Sequence, residues 1–405
     1  APLYDLVGVG FGPANIALAG ALIERWEDPS VTEDAVPRKI LFLEKQDAFR
    51  WHPGMLFPNT RMQISYLKDL ATLRNPRSPV TFLSYLHETG RLLQFINRGM
   101  SAPSCREYGD HLSCHWAGRY VQDHGTLFSK DVIQLADGAD GSAHIHFRDT
   151  ATGEVSTYSR TGNPVISPGG RSRTPAPLRA LDDISHVLHS STYATVIGPI
   201  LLRVSPSGVT SPLCIAVVGA GQSASEVFID LYERLHAIPA PGDRRHRIEM
   251  IFRKGCIKPS DDTPFANEIF DPASTDVMFG LPSCQARDLV TSEYKNTNYS
   301  VTNPRTINTV RPQLLYAQNV EESIAARDGT PSAKPLIVLF PYTCIISASA
   351  CGTGASPVAL TLYDVLRRSS PRTEMYDVVV CGLGYDHTAW IELLAGGSLG
   401  TRFGL

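Results

Sequence analysis

No run of about 18 consecutive apolar residues occurs in the 405-residue chain, so nothing in it reads as a membrane-spanning helix. The 37 Lys and Arg form no block, and 40 Asp and Glu bring the net charge to −3, so no nucleic-acid partner is expected. The eight cysteines contain no CxxC pair, which disfavours a dithiol redox centre. Scattered as they are, they read as reduced thiols of a cytoplasmic protein. The N-terminal residues lack the basic and apolar regions of a secretory leader. No short fixed repeat or low-complexity tract appears. No metal-ligand set is nominated, and no catalytic acid or base.

What remains has a globular composition, 43% hydrophobic and 19% charged. A single ordinary core does not accommodate this length, so two or three domains are expected. Leu6-Val-Gly-Val9, a glycine turn, a helix from Asn15 and the apolar run Lys39-Ile-Leu-Phe-Leu-Glu44 form one βαβ unit. Apolar spacing predicts a helix over residues 81–93. Residues 131–168 read as an antiparallel meander turning at Asp149-Thr-Ala-Thr-Gly153. A second βαβ start runs from Leu213 through Gly219 to Leu235, with its next strand at Ile248-Glu-Met-Ile-Phe252. A third strand-and-glycine pattern, Tyr376 to Tyr385, lies near the end, and residues 271–335 are polar and poorly periodic.

The fold class is therefore α/β, with two Rossmann-like dinucleotide-binding domains, one inserted in the other, and a small substrate-binding region. The expected boundaries are 1–190 for the first part of the outer domain, 191–330 for the inserted domain, and 331–405 for the return.

Gly8-Val-Gly10-Phe-Gly12-Pro13 follows the first strand. In this pattern Gly8 allows the turn and Gly10 lets the backbone approach a pyrophosphate at the helix N-terminus. Pro13 stands where a third glycine is usual. Glu44 ends the next strand, where a carboxylate accepts hydrogen bonds from ribose hydroxyls, although it comes later than the roughly 20 residues the pattern usually spans. Gly219, Ala220, Gly221, Gln222 and Ser223 repeat the logic. Their second strand ends in Arg253, a cation suited to a 2′-phosphate, which favours NADP over NAD; a solvated charge pair is the alternative. Two such sites imply two cofactors, FAD at the first and NADPH at the second. With no dithiol, a monooxygenase is the leading class.

Gln63 and Lys68 can frame one cavity wall, and Lys68 lies between Leu67 and Leu70, where its ammonium can receive a carboxylate; a surface lysine would read the same. Asn267 and Asn298 can orient a zwitterion through their amides or merely cap loops.

Several longer segments go further. Asp5 to Asn15, Trp51-His-Pro-Gly-Met55, Met62-Gln-Ile-Ser-Tyr-Leu-Lys-Asp69 on to Leu73, Gly169-Gly170, His189-Ser-Ser-Thr-Tyr193, Gly219 to Glu226, Lys258 to Phe270 and Thr297-Asn-Tyr-Ser300 together resemble the flavin-dependent N-hydroxylating monooxygenases, in particular the L-ornithine N5-monooxygenases of fungal siderophore synthesis. The resemblance implies N-hydroxylation of the ornithine side chain with O2, through a C4a-hydroperoxyflavin, in a homotetramer. It implies FAD contacts for Gly8, Gly10, Gly12, Pro13, Glu44, His52 and Gln63. NADPH contacts would fall to Gly219 to Ser223, Arg173, Arg253, Asn298, Tyr299 and Ser300. Lys68, Asn267 and Asn298 would hold the amino-acid end of ornithine.

The sequence departs from the family at three places. Gly382-Leu-Gly-Tyr385 stands for Ala-Thr-Gly-Tyr. Pro304 and Pro312 fall where a continuous helix is expected. The Gly-Leu-Ser-type lid loop is not found before Leu405, so a truncated member or a differently built lid is expected. N-hydroxylation of lysine or another amine, and an uncoupled flavoprotein yielding H2O2, are the alternative functions.

Overall fold

A computed structural model describes residues 3–32, 36–121, 125–138, 141–181, 186–204, 211–242, 244–261, 263–298, 300–329, 332–352, 357–395 and 400–401. Tyr299, the side chain of Asn298 and residues 396–399 fall outside the description. The chain divides into two compact units, one of residues 1–52, 61–171 and 385–405, the other of residues 53–60 and 172–384.

The first unit is built on a parallel sheet in the order Thr126–Leu127, Ile40–Leu43, Leu6–Val9, Pro164–Ile166. The helix Pro13–Glu27 joins Leu6–Val9 to Ile40–Leu43 and completes the expected βαβ unit. Both strands are buried along their whole length, as strands covered on both faces must be. Alternation then sends their side chains to two cores. Leu6, Ile40 and Phe42 pack with Ile16, Ala19 and Leu22 of the helix and with Phe82, Leu86 and Trp116. Val7, Val9, Leu41 and Leu43 face Val132, Leu135, Ile145 and Phe147 of the meander and Leu393 and Leu394 of the helix Ala389–Leu394. Each such fully buried side chain contributes about 1.5–3 kcal/mol.

Of the meander expected over residues 131–168, Lys130–Asp137, Ala143–Asp149 and Val155–Thr161 form it, while Pro164–Ile166 joins the parallel sheet instead. Its second turn is made by Asp149, whose carboxylate accepts the N–H groups of Ala151 and Thr152, and by Gly153 at φ 78°. The helix expected over residues 81–93 is two: Phe82–Glu88, capped by Thr81, and Leu92–Asn97. Gly90, at φ 69°, breaks them.

The second unit repeats the three-layer plan. Its parallel sheet runs Val187–His189, Val378–Cys381, Cys214–Val218, Arg247–Ile251, Leu336–Phe340. One face (Ile215, Val217, Ile248, Met250, Val378, Val380) packs on the helices Tyr193–Val204 and Gln222–His236. The other (Ala216, Val218, Ile251, Val379, Cys381) packs on Val358, Leu360 and Leu362 of the antiparallel sheet Thr343–Ala350, Val358–Asp364, Arg372–Tyr376.

Hydrogen bonding moves the expected boundaries. Val187–His189 pairs with Val378–Cys381, so the second unit begins at Ser172 and not at 191. Leu336–Phe340 and Val378–Cys381 both belong to its sheet, so the return comes at Tyr385 and not at 331. Residues 53–60 also belong to it. A Cβ on Gly54 would lie 2.1 Å from the Ser191 carbonyl, and Phe57 packs 5.5 Å from Tyr193, ring to ring.

The polar stretch 271–335 is largely helical, in Ser274–Gly280, Cys284–Asn298, Pro304–Asn308 and Thr309–Leu315 running into Tyr316–Asp328. Pro304 does not interrupt a helix. It opens one, behind an Asn303 whose side chain accepts the N–H of Arg305.

Candidate functional site: two glycine turns

In the first unit the chain leaves Val9 through Gly10 at φ 85°, a left-handed conformation that glycine adopts without strain. A Cβ there would lie 2.4 Å from the carbonyl oxygen of Ser167. Gly8 is not the turning residue. It lies within the strand, and a Cβ would meet the Phe42 ring at 2.4 Å. Gly12 is the N-cap of Pro13–Glu27, with nothing within 4 Å of its Cβ position and no side chain capping the first turn. Pro13 costs no hydrogen bond at this first helical position. An uncapped helix N-terminus behind a glycine turn, at the carboxyl end of a parallel strand, is a place for a phosphate.

Two side chains set the turn. Glu44, 6% exposed, accepts the N–H of Phe11 through Oε2 at 2.7 Å and that of Gln46 through Oε1 at 2.9 Å. Asn15 donates Nδ2 to the Gly10 carbonyl at 2.6 Å, and its Oδ1 accepts the Ser167 hydroxyl at 3.4 Å. Asn15 was missed among the site residues, although it stands two positions past Pro13.

Elsewhere in this unit His52 has a left-handed backbone, φ 43°, with the Trp51 and Tyr385 rings 5.2 and 6.1 Å from its own. Gln63 is exposed. Lys68 ends the single turn Tyr66–Lys68, capped by Ser65. Asp69 beside it is 8% exposed and holds the following loop.

The second unit repeats the turn. Gly219 has φ 127°, and its Cβ would lie 2.5 Å from the Gly382 carbonyl oxygen. Ala220 is buried, and Gly221 is the N-cap of Gln222–His236, with no side chain over the first turn, where Ser223 follows.

The Gln222 carboxamide is turned to the protein. Nε2 donates to Glu226 and Thr306 at 2.8 and 3.1 Å, and Oε1 accepts the N–H of Asn303 at 2.8 Å. Its backbone N–H meets the Val301 carbonyl at 3.0 Å. Ser300, at φ 57°, is left-handed without being glycine, a conformation that costs about 1–3 kcal/mol and persists only where its surroundings hold it. Lys254 supplies one such hold by donating Nζ to the Ser300 carbonyl at 3.0 Å. Burial, then the neighbouring Lys258, depresses the pKa of Lys254.

Arg253 is exposed just past the strand Arg247–Ile251. Arg173 is exposed too, with its N–H on the Gly384 carbonyl. That carbonyl also meets Nε2 of His189 at 3.1 Å. The backbone N–H of Ser191 donates to Nδ1 of His189, so Nε2 is the protonated nitrogen, and burial holds the ring pKa below its usual value. Asn267 closes the helix Pro264–Asn267, and its Nδ2 donates to the Thr263 carbonyl.

The structure thus places Gly10, Gly12, Pro13 and Glu44 at one turn, with Gly8 in the strand that leads into it, and Gly219 to Ser223 with Ser300 at another. Lys68 belongs to the first unit and Asn267 to the second. Among the described residues no helix is long and apolar enough to cross a membrane.

Known proteins share this plan. The chain is 48% identical to an L-ornithine N(5)-monooxygenase of Ceriporiopsis subvermispora, over 100% of this chain and 76% of that one. It superposes on the ornithine hydroxylase of Pseudomonas aeruginosa with a TM-score of 0.79 at 33% identity, over 97% of this chain and 85% of that one. The ornithine N-hydroxylase of Kutzneria sp. 744, solved with reduced FAD, NADP+ and L-ornithine, gives 0.77 at 32% identity, over 98% and 84%. Residues 2–387 match the family described as L-lysine 6-monooxygenase/L-ornithine 5-monooxygenase, and the chain belongs to that family.

Proposed function

We propose that the chain N-hydroxylates the side-chain amine of L-ornithine, using FAD, NADPH and O2. The observation that carries the reading is the pair of glycine turns, each ending at a helix N-terminus that no side chain caps. The ornithine hydroxylases it resembles over 97–98% of its own length and 84–85% of theirs support the step from two cofactors to one substrate.

In this reading FAD belongs to the first unit, at Gly8, Gly10, Gly12, Pro13, Glu44, His52 and Gln63. The Glu44 oxygens keep lone-pair capacity beyond their two backbone bonds. NADPH belongs to the second unit, at Gly219 to Ser223, Arg173, Arg253 and Asn298 to Ser300, with Arg253 on the 2′-phosphate. Bound there, the pair supplies hydride-driven activation of O2.

The protein's own tasks are to hold the amino acid and keep its amine neutral. Lys68, Asn267 and Asn298 take the α-carboxylate and α-amine. The side-chain amine, with a free pKa near 10.4 if lysine-like, must lose its proton before it attacks, and desolvation favours the neutral form. No acid or base is assigned. Selection by length follows, since one methylene is worth about 1–3 kcal/mol in a pocket. Lysine is the second reading, because the family takes in both amino acids. The proposal extends to a cytoplasmic homotetramer serving siderophore synthesis.

The test is turnover of L-ornithine under 18O2 with mass analysis of the product. One labelled oxygen on the N5 nitrogen is the expected result. Unlabelled or unmodified ornithine would overturn the reading.

A further inference from the structure

The geometry points to Asp69 as a positioning residue that sets where Lys68 presents its ammonium. The inference rests on the reading of Lys68 as the carboxylate receptor. A carboxylate has about four lone-pair positions, and Asp69 fills four. Oδ1 accepts the N–H groups of Ala71 and Thr72 at 2.9 and 2.6 Å. Oδ2 accepts the Thr72 hydroxyl at 2.9 Å and the Phe82 N–H at 2.6 Å. With its oxygens committed to protein donors and 8% exposure, Asp69 acts through its neighbours.

Three of those bonds fix the loop directly after Lys68, and the fourth ties Asp69 to the start of the helix Phe82–Glu88. The other side of the turn is fixed as well. Tyr66 donates its N–H to the Ser101 carbonyl at 2.9 Å and sets its ring 5.2 Å from Phe95, edge-on. The Lys68 N–H closes the turn on the Ser65 carbonyl at 2.9 Å. The lysine backbone is thus held on both sides. A lysine stem is long and rotamer-rich, so an unanchored base would spread its ammonium over many places, and a charged receptor works only where its support is rigid. Asp69 is the polar half of that support and Tyr66 the apolar half.

Asp69→Asn keeps Oδ1 and turns the second oxygen into a donor facing the Phe82 N–H. Thr72→Val removes only the hydroxyl bond. We expect Asp69→Asn to raise KM for ornithine by roughly tenfold, since small misplacements in a site carry large factors. Thr72→Val should raise it by about two- to threefold, as one bond of the four. FAD content, KM for NADPH and kcat at saturating ornithine should stay within about twofold for both. Lys68→Ala is the control for the underlying reading: if it leaves KM for ornithine unchanged, the receptor assignment falls. If Lys68→Ala raises KM while Asp69→Asn and Thr72→Val do not, the positioning role of Asp69 is overturned. It is equally overturned if the Asp69 variant loses FAD content, NADPH affinity and kcat together while Thr72→Val behaves as wild type. Should Asp69→Asn fail to fold, the KM ratio of Thr72→Val decides alone.

Discussion

Glu44 grips Phe11: the carboxylate that ends the second strand accepts, at 2.7 Å, the backbone N–H in the middle of the first glycine turn. The strand end and the turn are one construction. Glu44→Gln places an amide nitrogen against either Phe11 or Gln46, leaving a buried donor unmet at about 1–3 kcal/mol. The expected outcome is a lower melting temperature and less FAD retained per chain, read by absorbance after desalting. Unchanged values for both would show that the bond does not shape the turn.

Gly10 and Gly12, two residues apart, have opposite demands. Alanine at Gly10 meets both a positive φ and the Ser167 carbonyl oxygen at 2.4 Å. It should cost more than the roughly 1–2 kcal/mol of the left-handed conformation alone. Alanine at Gly12, where φ is −86° and nothing lies within 4 Å, should leave the melting temperature of the apoprotein unchanged. It should nonetheless weaken FAD binding by filling the approach to the helix. Titration of both apoproteins with FAD, alongside thermal melts, separates the two.

Arg253→Ala should raise KM for NADPH by about tenfold or more and narrow the preference over NADH, because a planar guanidinium is replaced where a 2′-phosphate is proposed. Equal losses with both nucleotides in steady-state kinetics would remove Arg253 from that role.

Much of this was legible before the structure. The run Leu6 to Glu44 shows its βαβ unit because strand, glycine turn and helix are local patterns, and Asp149 to Gly153 carries its own turn chemistry. Strand membership was not legible. Val187–His189 and Leu336–Phe340 look like any short apolar strand, and only their pairing places them in the second sheet. The same limit hid Asp69, which reaches Phe82, and the Gln222 carboxamide, which reaches Asn303 and Thr306. A long-range side-chain bond leaves no mark in spacing. The prolines misled for a different reason: Pro304 is a helix start, and without the Asn303 cap it reads as a break.

His189 gives a pH dependence of stability. Burial lowers its pKa in the folded state. The unfolded chain, with a pKa near 6.5, therefore binds the proton more readily. Its contribution is intact above about pH 6.5 and is lost as pH falls from there through the folded value. Urea midpoints measured from pH 7.5 to 5 should fall less steeply for His189→Asn than for wild type. Parallel slopes would contradict the assignment.

The central claim is tested most directly by coupling. Purified protein with FAD and NADPH is given ornithine, then lysine, while NADPH loss, H2O2 and hydroxylamine are recorded together. The account predicts hydroxylamine from ornithine matching the NADPH consumed, with little H2O2. NADPH oxidation that ends only in H2O2 with ornithine, or hydroxylamine formed from lysine and not from ornithine, would contradict it.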